Sequence, residues 1–352
     1  MKVLYVAGRE ATYSRTRIVA HALRQQGFDV TTVLPPDRSF KHYPRLLWQT
    51  LLKAPSCDVV LIGFYGQLLV PVIRLLTWKP IVFDMYIGTY ETMVFDRAKT
   101  QPGTFMAKIY ALSDWLSYKM SNISILDTQH MIEHFGRVIH SETSKLRRLF
   151  LAVDDSAIYP READQPHEGF LVHFHGEFSP FHGVRTILDA AKLLEDEGVN
   201  FQIIGKGITY NEDMQHGRDI GIRNVKFVDT VPYADLAVYM SRADVCLGIF
   251  GDNARAKLVM TNKVIEAIGM GKPLITRRNE PVQELLHHRE NAYLIEPSNP
   301  RALADAILEL KNNPELRQSI ARKGYETFQA HSTIKQLGNS LEKIIRSVLK
   351  RT

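Results

Sequence analysis

The sequence predicts an α/β protein with two doubly wound parallel-sheet domains, and three observations lead to that prediction. The chain has 352 residues, which is more than a single hydrophobic core usually serves. Short β-branched runs alternate with amphipathic helical stretches in both halves, as they do when helices cover both faces of a parallel sheet. Between the halves, residues 152–169 mix Asp, Pro and Gly without a sustained period and indicate a linker. We therefore predict one domain over residues 1–160 and a second over residues 161–332.

The elements of the first half follow from local patterns. KVLYVAG predicts an opening strand, and SRTRIVAHALRQQ predicts a helix with Ser14 as its N-cap and Gly27 as its left-handed end. The runs FDVTTVL, DVVLIGFYG, PIVFDMY and NISILDT predict further strands, because each is rich in β-branched or aromatic residues.

The second half repeats the alternation. Its predicted strands are FLVHFHG, FQIIGKG, NVKFVDT, DVCLGIF and PLIT, and helical runs separate most of them. The last helical run, about residues 333–352, either caps the second domain or packs back on the first. Ligands of open parallel sheets bind at the carboxyl ends of the strands. We therefore expect two sheets facing a central cleft, with a diphosphate-containing molecule held by one domain and a second substrate by the other.

Composition limits the class of protein. Hydrophobic residues make up 45% and charged residues 23%, which are globular values, and the net charge of +6 favours an anionic partner. Cys57 and Cys246 lie beside apolar strand-like runs, so we expect buried, reduced thiols in a reducing compartment. No segment has the apolar length to cross a bilayer and the start lacks the features of a signal peptide, so a cytoplasmic protein is expected.

One carboxylate stands in an apolar stretch, LVMTNKVIEAIGMGKPLIT, and is the main functional candidate. Thr261 or Asn262 can cap a helix here, and Gly271 can end it. Glu266 then lies little more than one turn from the helix start, where its carboxylate can accept hydrogen bonds from two ribose hydroxyls. The alternative is a carboxylate that only pairs with a nearby Arg or Lys.

This stretch belongs to a longer resemblance. NKVIEAIGMGKPLIT, followed by PVQELL, NAYLIEPSNPRALADAILEL and SIARKGYETF, resembles the nucleotide-sugar half of the retaining glycosyltransferases of family four, which have the GT-B fold of two Rossmann-like domains. Upstream, HGEFSPFHGVRTILDAAKLL, FQIIGKG and NVKFVDTVPYADLAVYMSRADV follow in the family's order. The first domain is similar more loosely, through its opening strand, turn and helix, through WKPIVFD and through LAVDDSAIYP.

The resemblance implies a metal-independent enzyme without a cofactor, which moves a sugar from a nucleoside diphosphate sugar in the second domain to an acceptor in the first. The acceptor would be a saccharide or a lipid-linked one, as in cell-surface polysaccharide or glycolipid synthesis, and no nucleic acid is expected as a partner. Two alternatives remain open. One is a nucleotide-sugar epimerase, which needs no acceptor, and the other is a catalytically silent relative that only binds nucleotide sugars.

Family four is marked by two glutamates with seven residues between them, of which the second contacts the ribose and the first the donor sugar. Glu266 matches the second. The first falls on Leu258, which cannot do that work, and we take Asp252 in the preceding loop as its substitute.

The family neutralises the diphosphate with an Arg and a Lys in the loop that follows the second domain's first strand. In this loop, which begins at Gly176, the two positions are Glu177 and His182. The compensating candidates are basic residues near the helix start, and the alternative is a merely solvated basic loop. The basic candidates are Arg255, Lys257 and Lys263, and Asn262 at the helix start is a further substrate-binding candidate. The loop around Gly205 and Gly207 is expected to shape the pocket for the nucleobase.

In the first domain, the family has a histidine near the donor sugar. The corresponding position lies close to Tyr86, and this sequence has no histidine there. Asp84, Tyr86 and Glu91 are the catalytic candidates there. Asp84, Tyr90 and Glu91 are polar groups at a strand's carboxyl end, where they can position an acceptor hydroxyl. Asp84 alternatively caps local backbone amides. In the loop GREATYSR, Ser14 and Arg15 are expected to contact a diphosphate or an anionic acceptor, unless Arg15 lies on a solvated helix face.

Other chemistries lack support. The sequence has no GxxxxGK[ST], CxxC, HExxH or GxSxG motif, and the histidines of HFH at 173–175 have no third ligand in view, so no metal site is predicted. The segment YPRLLWQTLLKAP, residues 43–55, is either a buried helix or an apolar face that lies on an anionic membrane. In the second case the protein would be peripheral on the inner face of that membrane.

Overall fold

The computed structural model describes residues 1–97 and 99–350, which form two compact units. Unit 1 contains residues 1–152 and the chain from Ile334 onwards, and unit 2 contains residues 153–333. The division after residue 152 precedes the predicted boundary at residue 160. Val153 donates a backbone hydrogen bond to the Ser332 carbonyl, and Ile158 is fully buried. The segment predicted as a linker therefore begins with residues that pack in unit 2.

Each unit contains a six-stranded sheet in which all pairs are parallel, as predicted. The order in unit 1 is β2-β1-β3-β4-β5-β6, and the order in unit 2 is β12-β11-β10-β7-β8-β9. The strands are β1 (Lys2–Val6), β2 (Asp29–Val33), β3 (Val59–Ile62), β4 (Ile81–Tyr86), β5 (Ile123–Leu126), β6 (Leu146–Arg148), β7 (Phe170–His175), β8 (Val199–Ile204), β9 (Val225–Val228), β10 (Val245–Leu247), β11 (Leu274–Arg277) and β12 (Tyr293–Ile295).

Helices connect the strands and cover the sheets. They are α1 (Ser14–Gln25), α2 (Tyr43–Lys53), α3 (Leu69–Leu76), α4 (Phe105–Met120), α5 (Gln129–Ile139), α6 (Val184–Leu193), α7 (Tyr210–Asp219), α8 (Tyr233–Arg242), α9 (Ala254–Lys257), α10 (Asn262–Gly269), α11 (Glu280–Gln283), α12 (Pro300–Asn312), α13 (Pro314–His331) and α14 (Ile334–Leu349). Short 3-10 turns span Phe40–His42 and Ala54–Ser56, and Glu91–Asp96 form a π-helical turn. Within the described residues no helix combines the length and the apolar composition needed to cross a bilayer.

The start of α1 differs from the prediction. Tyr13 is the N-cap, it makes no side-chain capping hydrogen bond, and Ser14 is the first helical residue. The helix still ends before Gly27, whose φ of 77° is in the left-handed region.

The tail helix α14 belongs to unit 1, where it packs on α1. Its buried residues recur at helical spacing and join the core formed by α1 and the sheet. The two helices approach closely at Gly338, where a Cβ atom would lie 2.8 Å from the Gln26 side chain. Gln26 also donates a hydrogen bond to Asn339 Oδ1 at 3.0 Å. Residues 351–352 of the predicted helical run lie outside the described residues.

Candidate functional site

The sheet of unit 2 has a topological switch point between β7 and β10. The chain builds β8 and β9 on one side of β7 and then places β10 on the other side. The loops that leave the carboxyl ends of these two strands therefore diverge and open a crevice, the usual ligand site in open α/β sheets. Glu266 and Lys263 on α10 lie in this region, since each contacts the carboxyl-terminal part of β7.

Glu266 is buried, with 6% of its surface exposed. Its Oε2 atom lies 2.9 Å from Nε2 of His175, the last residue of β7. The partner is thus a histidine rather than the Arg or Lys considered from the sequence. Each carboxylate oxygen can accept two hydrogen bonds, so this contact leaves Glu266 with acceptor capacity.

Behind His175 lies a chain of buried polar side chains that sequence reasoning missed. His175 Nδ1 is 3.0 Å from His173 Nε2, and His173 Nδ1 is 2.9 Å from Gln202 Nε2. The signal was present as histidines at i and i+2, which point to one face of a strand. What the sequence lacked was the register, which pairs His173 with Gln202 across β7 and β8. Among the described residues no three His, Cys, Asp or Glu side chains are placed to hold a metal ion.

Lys263 is a buried cation of unit 2. Its Nζ atom is buried and has no hydrogen-bond partner among the described residues. The ammonium group lies 4.7 Å from the centroid of the Phe174 ring. Burial lowers the pKa of Lys263 to about 7, although the charges of Glu266 and Glu177 act in the opposite direction. An unpartnered buried ammonium group is a position that an anion can fill.

The start of the loop after β7 makes room for Lys263. Gly176 has a φ of 143°, and a Cβ atom there would lie 2.6 Å from Lys263 Nζ. Gly205 has a φ of 131°, and a Cβ atom there would lie 2.1 Å from the Gly176 carbonyl oxygen. Only glycine fits at either position. A Cβ atom at Gly207 would similarly lie 2.3 Å from the Phe178 carbonyl oxygen, so the loops after β7 and β8 pack backbone against backbone.

Arg255 adds a second incompletely paired cation. Its Nε and Nη1 atoms are buried without hydrogen-bond partners among the described residues, and its guanidinium lies 6.0 Å from the Phe181 ring centroid. The nearby Asn262 is the exposed first residue of α10. Arg255 and Lys263 thus give unit 2 two cations whose polar atoms are buried and available to an anion.

Lys257 and Asp252, both predicted as site residues, lie close to each other. Asp252 Oδ1 lies 3.6 Å from Lys257 Nζ and 3.7 Å from Arg277 Nη2. Lys257 and Asp252 are both at least half exposed, so Lys257 is a solvated cation beside an acid. Arg277, which was not predicted as a site residue, is buried at the end of β11 and donates a hydrogen bond to the Gly251 carbonyl.

His182 contributes no charge to this region. Burial lowers the pKa of His182 well below its usual range, with the nearby Lys263 adding to the effect. Its Nδ1 atom contacts the Glu177 carbonyl oxygen, which only accepts hydrogen bonds. Nδ1 therefore carries the proton, and His182 is a neutral imidazole at the place where the resemblance expects a basic residue.

In unit 1, two predicted site residues neutralise each other. Arg15 donates from Nε to Asp84 Oδ2 at 2.9 Å and from Nη2 to Asp84 Oδ1 at 2.8 Å. Arg15 is 8% exposed and Asp84 is fully buried. Arg15 is therefore not on a solvated face, and neither charge is free for a ligand. Ser14, partly exposed at the start of α1, is next to this pair.

Aromatic residues occupy the carboxyl ends of β3 and β4. Tyr65 and Tyr86 both have a φ of 63°, which is unusual for residues other than glycine and is often found at functional sites. The Tyr86 ring lies 4.7 Å from the Arg15 guanidinium and packs edge-on against Phe64. Beside them is a cavity of about 270 Å³ with mainly apolar walls. Its lining includes Phe64, Tyr65, Leu68, Met93, Ile109 and Tyr110.

Glu91, predicted as a catalytic candidate, is buried in the interior of unit 1. It is fully buried, and its Oε1 atom lies 3.1 Å from His134 Nε2. Burial, and then the charge of Glu91, raise the pKa of Asp114 to about 8. Asp114 also accepts hydrogen bonds from the Thr89 and Tyr90 amides, so these acids belong to the interior of unit 1.

Comparison with known proteins shows that part of the chain is similar to a described family. Residues 169–313, most of unit 2, match the model of a family described as glycosyl transferases group 1. An uncharacterized glycosyltransferase of Methanocaldococcus jannaschii is 28% identical over 153 residues, which cover 44% of this chain and 41% of the relative. A phosphatidyl-myo-inositol mannosyltransferase of Mycobacterium leprae is 26% identical over 184 residues, which cover 51% of this chain and 47% of the relative. The matches thus span less than half the length of either relative.

Solved structures extend the similarity to both units. The crystal structure of Anabaena HepE in complex with UDP and glucose matches with a TM-score of 0.76 at 15% identity. The match covers 99% of this chain and 100% of that one. At such low identity it defines the fold, which is GT-B.

The contribution of the Arg15–Asp84 pair to the stability of unit 1 can be tested. We expect Asp84→Asn to destabilise unit 1 by about 3 to 5 kcal/mol, because it leaves a buried guanidinium without a counter-charge. Urea unfolding followed by tryptophan fluorescence measures this, since Trp48, Trp78 and Trp115 all lie in unit 1. The exposed Asp29→Asn serves as the control. Equal stability of Asp84→Asn and the wild type would contradict the role assigned to the pair.

Proposed function

We propose that the protein is a retaining, metal-independent glycosyltransferase. A nucleoside diphosphate sugar binds unit 2, and an acceptor hydroxyl is presented by unit 1. The observation that carries this proposal is the arrangement on α10, where a buried acid and an unpartnered buried ammonium group lie one helical turn apart. Glu266 would accept hydrogen bonds from the ribose hydroxyls, and Lys263 would contact the diphosphate. The family match over residues 169–313 supports the same assignment.

The proposed transfer is a direct exchange at the anomeric carbon. The acceptor oxygen forms its bond to that carbon on the face from which the diphosphate leaves, so the configuration is retained. The bond to the diphosphate oxygen breaks with its electron pair on the diphosphate, and the hydroxyl proton passes to the departing group. Lys263 and Arg255 would stabilise the charge that develops there, with help from the amides that begin α10.

These cations would replace the pair of basic residues expected in the loop after β7. Glu177 is acidic and His182 is neutral, so that loop supplies no side-chain cation at these positions. Lys263 and Arg255 approach from α10 and α9 instead. In this proposal the positive charge comes from different elements of unit 2 and no metal ion is needed.

The acceptor side is proposed from the aromatic edge of unit 1. Tyr65 and Tyr86 offer rings on which a sugar can pack, and the adjacent cavity suits an apolar group. This combination favours a lipid-linked saccharide over a free sugar and a role in glycolipid or cell-surface polysaccharide synthesis.

The function is tested first by nucleotide binding and turnover. UDP is the natural first nucleotide because the HepE crystal structure contains it, with GDP and ADP as comparisons. We expect a UDP-sugar to raise the melting temperature of the wild type and of the surface control Glu212→Ala, but not of Glu266→Ala. Product analysis by NMR should show transfer with a retained anomeric configuration, and EDTA should leave the rate unchanged.

Other outcomes of the same experiment identify the alternatives. Conversion of the donor sugar without any acceptor would indicate an epimerase. Binding without turnover on any acceptor tested would indicate a silent relative, and the absence of binding would contradict the proposal.

Lys263 predicts how donor affinity depends on pH. With a pKa of about 7 in the free protein, Lys263 is charged below pH 7 and neutral above it. We expect the affinity for a UDP-sugar to fall about tenfold for each pH unit above 7, until the pH exceeds the pKa of Lys263 in the complex. A UDP-sugar is the right probe, because its diphosphate is esterified at both ends and does not titrate near neutral pH. Isothermal calorimetry from pH 6 to 9 measures this.

Two variants separate Lys263 from other titrating groups. Lys263→Arg keeps its charge throughout this pH range, so its affinity should vary little with pH. Lys263→Met should bind weakly at every pH. A wild-type affinity that stays constant from pH 6 to 9 would refute the role of Lys263.

We also propose that unit 1 contacts an anionic membrane surface. The helices α2, α3 and α4 are neighbours, and each exposes large apolar side chains. The exposed apolar residues of these helices are Trp48, Leu51, Leu52, Val72, Leu75, Phe105, Met106, Ile109, Leu112 and Leu116. We call them the apolar surface of unit 1. A helix that is buried in a domain does not expose so many large apolar side chains. This exposure favours the membrane alternative for residues 43–55, and it extends that alternative to α3 and α4.

The charges around this apolar surface specify the kind of membrane. Arg45, Lys53, Lys108 and Lys119 lie on α2 and α4, whereas Asp114, the one acid in the three helices, is buried. Basic side chains beside exposed apolar ones are the combination that binds anionic lipid head groups.

Vesicle sedimentation tests the membrane proposal. The protein should sediment with vesicles of phosphatidylcholine and phosphatidylglycerol, and less with phosphatidylcholine alone. Trp48→Gln combined with Leu52→Gln should weaken binding at least about tenfold, since two large side chains no longer insert. Leu193→Gln, an exposed apolar position in unit 2, is the control. Unchanged binding of the double variant, or no binding of the wild type, would exclude this surface.

A further inference from the structure

We propose that Gln202, His173 and His175 are positioning residues that direct one N–H group at Glu266 and thereby set the affinity for the donor. The inference rests on the proposed function, in which Glu266 holds the ribose. The three side chains form a continuous hydrogen-bonded chain from β8 through β7 to α10. We call this chain the histidine relay. Its effect on Glu266 depends on which atom of each hydrogen bond is the donor.

The orientation of Gln202 fixes the first step. Its Nε2 atom lies 2.9 Å from His173 Nδ1 and 3.4 Å from the Tyr239 carbonyl oxygen. A carbonyl oxygen only accepts hydrogen bonds, so the amide nitrogen, and not the amide oxygen, faces both groups. Gln202 is therefore the donor, and His173 Nδ1 is the acceptor.

The second step follows from the neutrality of His173. The side chain is completely buried, and burial lowers the pKa of His173 well below its usual range, with His175 and Lys272 as further causes. A neutral imidazole whose Nδ1 accepts must carry its proton on Nε2. That N–H donates to His175 Nδ1 at 3.0 Å.

The third step delivers an N–H group to the candidate site. Because His175 Nδ1 accepts from His173, a neutral His175 carries its proton on Nε2 and donates to Glu266 Oε2 at 2.9 Å. Every link then has one donor and one acceptor. The opposite direction would place a lone pair of His175 against the carboxylate of Glu266 and repel it.

The relay acts on both proposed ligand contacts. It holds the Glu266 carboxylate at one oxygen and leaves the remaining lone pairs for ribose hydroxyls, which donate to acceptors. It also keeps the charge of Glu266 near Lys263, where that charge favours the protonated ammonium group. Gln202 and His173 thus influence donor binding as part of the scaffold behind Glu266.

The direction of the relay is measured directly on the wild type. In protein labelled with ¹⁵N-histidine, long-range ¹H–¹⁵N spectra distinguish the two neutral tautomers and the imidazolium ion. His173 and His175, assigned by the loss of signals in His173→Phe and His175→Phe, should both be protonated on Nε2 alone. Protonation of either ring on Nδ1 would overturn the proposal, and this readout needs no nucleotide.

The functional consequence is measured with variants. Gln202→Leu removes the first donor, so His175 should show a mixture of tautomers and the UDP-sugar affinity should fall about threefold to tenfold. His175→Phe removes the contact with Glu266 and should lower the affinity about tenfold to a hundredfold. Gln215→Leu on the exposed face of α7 is the matched control. A purely structural role would lower the melting temperature without changing the His175 tautomer.

The possible results separate the inference from the function it rests on. If the wild type binds a UDP-sugar and Gln202→Leu binds it equally well, the relay has no role in positioning, while the proposed function stands. If the wild type binds no nucleotide sugar, the proposed function fails and the assigned role of the relay fails with it, whatever the tautomers.

Discussion

The candidate site depends on one buried ammonium group that the protein leaves without a partner. Burying a charge is unfavourable unless it is paired, and burial accordingly lowers the pKa of Lys263. The surroundings preserve this state, since Gly176 leaves space beside Nζ and Phe174 presents the face of its ring. Glu266 offsets part of the penalty at a distance while its Oε2 contacts His175. In the proposed function an anionic ligand would offset the remainder, so the unfavourable burial would contribute to binding affinity.

Much of the fold could be predicted from the sequence because its signals are local. Runs of β-branched residues alternating with amphipathic helices specify parallel sheets, and both sheets were found. The boundaries were harder to predict, because they depend on contacts between distant segments. Residues from Val153 onwards have no regular period, yet Val153 and Ile158 pack in unit 2. Similarly, the pattern of α14 specifies a buried face but not the surface that covers it, and the structure places that face on α1.

The candidate site was predictable where its parts lie on one element. Lys263 and Glu266 are three residues apart on a helix, so their proximity follows from helical geometry. Contacts between distant residues could not be predicted. Arg15 and Asp84 are 69 residues apart and neutralise each other, and Glu266 meets His175 across 91 residues. For such pairs, residue type predicts the chemistry of each side chain, but it does not predict whether another residue of the protein already pairs with it.

The two units differ in how they treat their buried charges. In unit 1, Arg15 and Asp84 form a bidentate pair, which leaves neither charge for a ligand. In unit 2, Lys263 and Arg255 keep buried polar atoms without partners among the described residues. A buried ion pair with complete hydrogen bonding belongs to the scaffold, whereas a buried cation without a partner is stabilised when an anion such as a diphosphate binds beside it. The proposed binding of the donor to unit 2 therefore rests on which cations remain unneutralised, and in the same proposal unit 1 recognises an acceptor through aromatic and apolar contacts.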